Sequence, residues 1–473
     1  MTVATDARPV AAPNPRTQRL LHGPIVATLL GLAWPNVLIM LAQSSTGLIE
    51  TWWVSHLGSD ALAGMALVFP AVMLMQMISG GAMGGGISSA IARAVGAGRR
   101  DDADALVLHA VVINAALGLL FTGAMLAFGR PFLRALGGEG GALDAALAYS
   151  NVVFAGNILL WVMNALASAV RGTGNMLVPA LVTCGGVVLL VPLSPLLIFG
   201  FGSVPALGVA GGGAAVVLSY AAGAAVLAWY VLSGRNLATL RLAQVGRRSR
   251  LRWPLFRDIL GVGAVASMNT VLSYVSIAVA TALVAGAAGI DAVAGFGTGA
   301  RLEYLLIPIV FGLGAPLVAL VGTNIGAGQP QRALRIALIG AAIAFCLTES
   351  IGVAAAAWPE AWMRLFSGNP RIIETGSAYL RIAGPFYGFF GMGLALYFAA
   401  QGAGRLFWPL FSSVLRIVTA LGGGWVALRL SGSLTWLFAA LALSLFVYGV
   451  TLAATTASGA WFRMPRATRP GVG

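Results

Sequence analysis

Residues 31–57 read GLAWPNVLIMLAQSSTGLIETWWVSHL, an apolar run with a polar row along one side. Asn36, Gln43 and Glu50 recur at seven-residue spacing, close to two α-helical turns, so on a helix they fall within about 40° of one another, with Thr46 beside them. That face is not expected to meet lipid. A carboxylate near the bilayer centre costs about 2.5–3.5 kcal/mol on insertion scales, so such an acid normally faces a partner helix or a water-filled cavity. Pro35 lacks an N–H and its ring crowds the preceding turn, which predicts a bend early in the helix. A second reading places Glu50 at the outer end, reaching water at the interface, since about 1.5 Å per residue from Gly31 carries it high in the membrane. The polar row favours the inward reading, because a residue at the interface needs no Gln or Asn beneath it.

Composition extends the membrane reading to the whole chain. Its 473 residues are 59% hydrophobic and 9% charged, with mean hydropathy +0.90. Soluble domains carry about a quarter charged residues. The net charge of +14 comes from arginine alone, for there is no lysine, and in a membrane protein its placement matters more than its size. No nucleic-acid partner is therefore inferred. Cys184 and Cys346 both lie in apolar runs, and His22, His56 and His109 are scattered, so neither a disulfide framework, a metal centre nor a cofactor is implied.

Runs long enough to cross about 30 Å of hydrocarbon fall at 27–55, 63–95, 104–128, 146–170, 177–200, 208–232, 258–286, 293–324, 333–357, 376–401, 408–428 and 433–458. Arginines gather before the first run and after every second one, as in Arg93, Arg99, Arg100, Arg171, Arg235, Arg241, Arg247, Arg248, Arg250, Arg252, Arg332, Arg335 and Arg405. That asymmetry predicts cytoplasmic termini. The chain also repeats itself after about 230 residues: Arg171-Gly-Thr-Gly174 aligns with Gln401-Gly-Ala-Gly404, and Gly96-Ala-Gly98 with Gly326-Ala-Gly328. Parallel repeats of six helices predict an all-α integral membrane protein, two six-helix lobes related by a pseudo-two-fold axis along the membrane normal. The expected divisions are a disordered tail 1–24, an N-lobe 25–233, a basic linker 234–256, a C-lobe 257–459 and a tail 460–473. Two lobes of this kind enclose a cavity, and Glu50, whose counterpart in the second half is Ala280 or Thr281, is expected to face it.

Among the other acids, Glu303 and Glu349 also fall within spans. Arg301 and Glu303 are two residues apart and do not face one another on a helix, so each needs another partner, and an ion network inside the second lobe is the plainer reading. Gly80-Gly81 and Gly84-Gly85-Gly86 lack the Gly-Lys-Ser/Thr and the preceding strand of a phosphate loop, and instead suit close helix approach. Aromatic and sulfur side chains, among them Trp52, Trp53, Met73, Met75, Trp161, Tyr274, Phe386, Tyr387 and Phe390, are candidates to line an adaptable pocket.

The patterns Leu32-Ala-Trp-Pro35, Gly47-Leu-Ile-Glu50-Thr, Ala92-Arg-Ala-Val-Gly-Ala-Gly98, Arg171-Gly-Thr-Gly174, Leu207-Gly-Val-Ala-Gly211 and Gly322-Thr-Asn-Ile-Gly-Ala-Gly328 resemble those of multidrug and toxic compound extrusion (MATE) transporters, over about residues 25–458. The resemblance implies twelve helices and export of amphipathic, often cationic compounds in exchange for protons or sodium. It implies a coupling and substrate role for Glu50, a Gln matched by Gln43 and a helix-bending proline matched by Pro35. Where one branch has a second acid before a proline on the fifth helix, this chain has Ser194, which with Glu50 and Glu303 completes the candidate coupling set. Acids of the sodium-coupled branch correspond to Val271 or Thr270 and to Phe390 here, which leaves Glu50 with fewer carboxylate partners than usual. The proton is the expected coupling ion, with sodium as the alternative. Candidate substrate contacts are Asn36, Gln43, Thr46, Glu50, Trp161, Asn164, Tyr274 and Tyr387. The expected partners are small amphipathic molecules and the lipid bilayer, the expected state is a monomer, and the expected location is a bacterial inner membrane. A flippase for a lipid-linked sugar or another amphipathic metabolite is the alternative function. An enzyme would need a convergent set of nucleophile, base or metal ligands that the dispersed histidines do not supply.

Overall fold

A computed structural model describes residues 14–239, 251–459 and 461, and every regular element among them is helical. The short helix α1 (Pro15–His22) precedes α2 (Ile25–Ser55), α3 (Ser59–Gly96), α4 (Arg100–Ala135), α5 (Gly140–Ala155), α6 (Asn157–Gly172), α7 (Leu177–Phe199) and α8 (Val209–Leu232). After the linker come α9 (Trp253–Gly326), α10 (Pro330–Ala357), α11 (Pro359–Met363), α12 (Pro370–Ala403), α13 (Phe407–Ser431) and α14 (Leu434–Ala457).

The span count follows from two of these. Helix α9 has 74 residues, more than twice what a bilayer needs, and Gly289 within it has φ 76° and ψ −166°, a backbone state open to glycine and unlike a helix. Its limbs, 253–288 and 290–326, are therefore two crossings. Helices α5 and α6 meet at 47° beside Gly156 and together make one. With these two adjustments twelve stretches among the described residues are long and apolar enough to cross a membrane, and they coincide with the stretches expected to span.

Two separate apolar cores divide the helices as the repeat requires. One joins Val68, Ile91, Leu106, Phe154, Trp161 and Leu227; the other joins Val284, Leu317, Ile336, Tyr379, Leu396 and Phe438. Helix α2 lies at the seam, with Leu29 and Ala33 packed into the second core while its far half packs on α7.

One detail differs from the sequence reading. Residues 15–22, expected to be part of a disordered tail, form α1, started by Pro15 and by Asn14, whose side chain accepts from Arg16 N–H at 3.0 Å. Helix α2 is continuous through Pro35. Residues 1–13, 240–250, 460 and 462–473, including Arg241, Arg247, Arg248 and Arg250 of the expected linker, lie outside the described residues.

Candidate functional site

Glu50 is 1% exposed and neither carboxylate oxygen has a hydrogen-bond partner among the described residues. Its surroundings come from the first lobe alone. Ser194 on α7 is fully buried and turns its hydroxyl toward the carboxyl without reaching hydrogen-bond geometry. Gly212 on α8 stands so close that a Cβ there would lie 2.7 Å from Glu50 Oε2, which explains how a side chain as long as glutamate fits. Tyr149 and Tyr220 lie near enough to feel its charge, and Gln76 Nε2 donates to Tyr220 Oη at 3.2 Å. Val54 and Ile198 pack beside Gly212 and the carboxyl. An acid with no hydrogen-bond partner in an apolar setting costs several kcal/mol when ionised.

The polar row meets different surroundings along α2. Asn36 Nδ2 donates across the seam to Phe311 O at 2.8 Å, so it ties the lobes together. Gln43 is exposed. Thr46 is half-buried and its hydroxyl bonds back to Ala42 O at 3.2 Å. Glu50 was expected to face the space between the lobes and faces the interior of the first instead, because α2 is wedged between α7 and the second limb of α9 and its two ends meet different neighbours.

Three proposed substrate contacts lie buried inside a lobe in this state. Trp161 is fully buried against Phe121 in the first core. Asn164, 7% exposed, donates to Ser79 Oγ at 2.9 Å within that lobe. Tyr387 is fully buried in the second lobe. These are large or polar groups whose partners come from distant helices, which spacing along one helix does not reveal. Tyr274 is 39% exposed on the first limb of α9, and no hydrogen bond joins it to the other candidates.

The second lobe buries its own acid against its own cation. Glu303 Oε1 accepts from Arg416 Nη2 at 3.2 Å and Oε2 from Tyr379 Oη at 2.9 Å. Arg416 also lies over the rings of Phe390 and Tyr448, at 5.0 and 5.6 Å. Glu303, proposed as a coupling residue, is thus neutralised inside an ion network, and the spacing argument against Arg301 as its partner holds, since Arg301 sits over Phe366. Glu349 accepts from Gly388 N–H at 2.7 Å, an interhelical tie. Removing one member of a buried pair costs about 3–5 kcal/mol, so Arg416→Met is expected to lower the melting temperature of the purified protein markedly, with Glu303→Gln added to it recovering part of the loss. Equal melting of wild type and Arg416→Met would show the pair to be idle.

Most hydrogen bonds and ion pairs between the lobes gather at one end. Ser89 Oγ donates to Gln401 O and Gly402 O, Arg93 pairs with Asp258 at 2.6 Å, and Asn324 Nδ2 reaches Leu20 O at 3.1 Å. Arg332 bonds Gly23 O there too. A Cβ on Gly96 would strike Thr323 O, and one on Gly326 would strike Arg93 O. Apart from Asn36, every described hydrogen bond between the lobes lies toward this arginine-rich end.

A two-lobed, twelve-span bundle with parallel repeats and an unpaired acid in one lobe has the organisation of a secondary transporter. The family model described as MatE matches residues 35–196 and again 266–426, once per lobe, and the chain belongs to that family of transporters. A FAD transporter of Shewanella oneidensis is 29% identical over 80% of this chain and 82% of its own length. A probable multidrug resistance protein NorM of Thermotoga maritima is 28% identical over 83% of each. Among solved structures, a MATE in its bent conformation superposes with TM-score 0.85 at 24% identity, covering 94% of this chain and 99% of the other. An outward-facing multidrug resistance MATE transporter gives 0.83 at 23%, covering 95% and 99%.

Proposed function

We propose that this transporter is a proton-coupled antiporter that exports amphipathic, chiefly cationic compounds across a bacterial inner membrane, with both termini in the cytoplasm. The observation that carries the reading is the Glu50 carboxyl, buried with neither oxygen partnered. An arriving cation favours the ionised carboxylate and a proton removes that charge, so the two ligands exclude each other at one group. Arginine bias supports a cytoplasmic arginine-rich end, and the inter-lobe contacts at that end support reading this as an inward-closed state. Exchange of one proton for one monovalent cation moves no net charge. The pH gradient then drives it, and the membrane potential, about 2.3 kcal/mol per charge per 100 mV, does not. Sodium is the alternative coupling ion.

Similarity to a FAD transporter supports a second reading, export of an anionic metabolite. Proteoliposomes with separately imposed proton, sodium and electrical gradients, loaded with ethidium or with FAD, separate these readings. Ethidium flux driven by the proton gradient alone is expected. Flux that follows only sodium or only voltage overturns electroneutral proton exchange, and FAD flux without ethidium flux overturns the substrate class.

A further inference from the structure

Arg171 ends α6 with only 7% of its surface exposed. Among the described residues its guanidinium has one hydrogen-bond partner, Ser168 Oγ at 2.8 Å, and no ion pair. Arginine does not give up its proton in a protein, so this is a full positive charge withdrawn from water, and such a charge costs several kcal/mol unless it is paired. Arg93 and Arg416, also partly buried, each hold a carboxylate. Arg171 holds none.

Its counterpart in the repeat is Gln401, which is 1% exposed and has both amide atoms, Nε2 and Oε1, without a partner. Gln401 rests on Gly85, where a Cβ would collide with its amide. Arg171 and Gln401 line the same pocket between the lobes, walled by the backbone of Gly80, Gly81 and Gly84 and by Phe311, with no acidic residue in the lining. The pocket has room for about one water-sized particle. A positive charge, an unsatisfied amide donor, no carboxylate and little space together describe a site for a small anion.

We propose that Arg171 and Gln401 bind one chloride-sized monovalent anion between the two lobes. The two residues come from pseudo-equivalent positions of different lobes, so they line one pocket only while the arginine-rich ends are closed. A ligand that binds one conformation better than another shifts the equilibrium toward it. The anion thus favours the closed seam and leaves when the lobes part there. The pocket is too small for a substrate headgroup, and Glu50, whose neighbours lie elsewhere in the first lobe, needs no part in it.

The test uses the purified full-length protein in detergent, with chloride replaced by gluconate at constant ionic strength and pH, and reads thermal melting and binding of radioactive chloride. Saturable binding of one chloride per chain and a melting temperature that rises with it are expected, with bromide substituting. Arg171→Gln is expected to abolish both effects. Should that variant fail to fold, Gln401→Leu keeps the charge and loses a donor to an anion, which is expected to weaken chloride binding by about tenfold or more. No saturable chloride binding by the wild type, or wild-type affinity in Gln401→Leu together with Arg171→Gln, overturns the proposal. A phospholipid headgroup held by Arg171 would give the first of these results.

Discussion

Glu50→Gln is expected to reduce proton-driven ethidium efflux in everted vesicles to the level of vesicles lacking the protein, while leaving its melting temperature no lower than that of the wild type. The two halves of this result come from the same geometry. A carboxylate whose oxygens bond to nothing contributes no hydrogen bonds that Gln could lose, and replacing a buried ionisable group by a neutral one of similar shape removes a desolvation cost. What disappears is the exchangeable proton and the charge that receives a cation. Gly212 provides a graded control. Gly212→Ala places a methyl where Glu50 Oε2 needs space, at 2.7 Å, so partial loss of efflux is expected. Glu50→Asp in the Gly212→Ala background shortens the acid and is expected to recover part of that loss, a coupling that independent sites would not show. Full pH-driven transport by Glu50→Gln would remove the exchange mechanism, and additive effects of the two other changes would remove the contact.

The sequence disclosed the architecture because the membrane imposes few solutions: long apolar runs, alternating arginines and a repeat of about 230 residues lead to two six-helix lobes. It disclosed Glu50 because an acid in an apolar run is conspicuous on one helix alone. It concealed what depends on two helices far apart in the chain. The orientation of Glu50 toward α7 and α8, away from the second lobe, rests on Gly212 leaving space and Asn36 being held by Phe311 O. Trp161 and Tyr387 read as pocket residues and are core, since an aromatic side chain looks the same in either role until its neighbours are known. Gln401 is the reverse case. The repeat alignment paired it with Arg171, which was the available signal, but only the pocket between the lobes gives that pairing a chemical meaning.

The glycines at the arginine-rich end carry the second large effect. Gly96 and Gly326 are equivalents in the repeat, and each accepts the other lobe's backbone where a side chain would stand: Thr323 O against Gly96, Arg93 O against Gly326. A carbonyl cannot rotate away from a new methyl as a flexible side chain can, so Gly96→Val and Gly326→Val must push the helices apart. Because most of each packed core comes from one lobe, the lobes themselves are expected to survive the change while their closure does not. Ser89, fully buried with its hydroxyl bonded to Gln401 O and Gly402 O, reports the seam. In a Ser89→Cys protein lacking Cys184 and Cys346, an impermeant maleimide applied from the arginine-rich side is expected to react slowly. Adding Gly96→Val with Gly326→Val is expected to make it react at the rate of an exposed thiol and to stop net efflux, since a transporter that cannot close one side cannot alternate. Alternating access in which these ends never meet would leave both the labelling and the efflux of the double variant at the level of the Ser89→Cys parent.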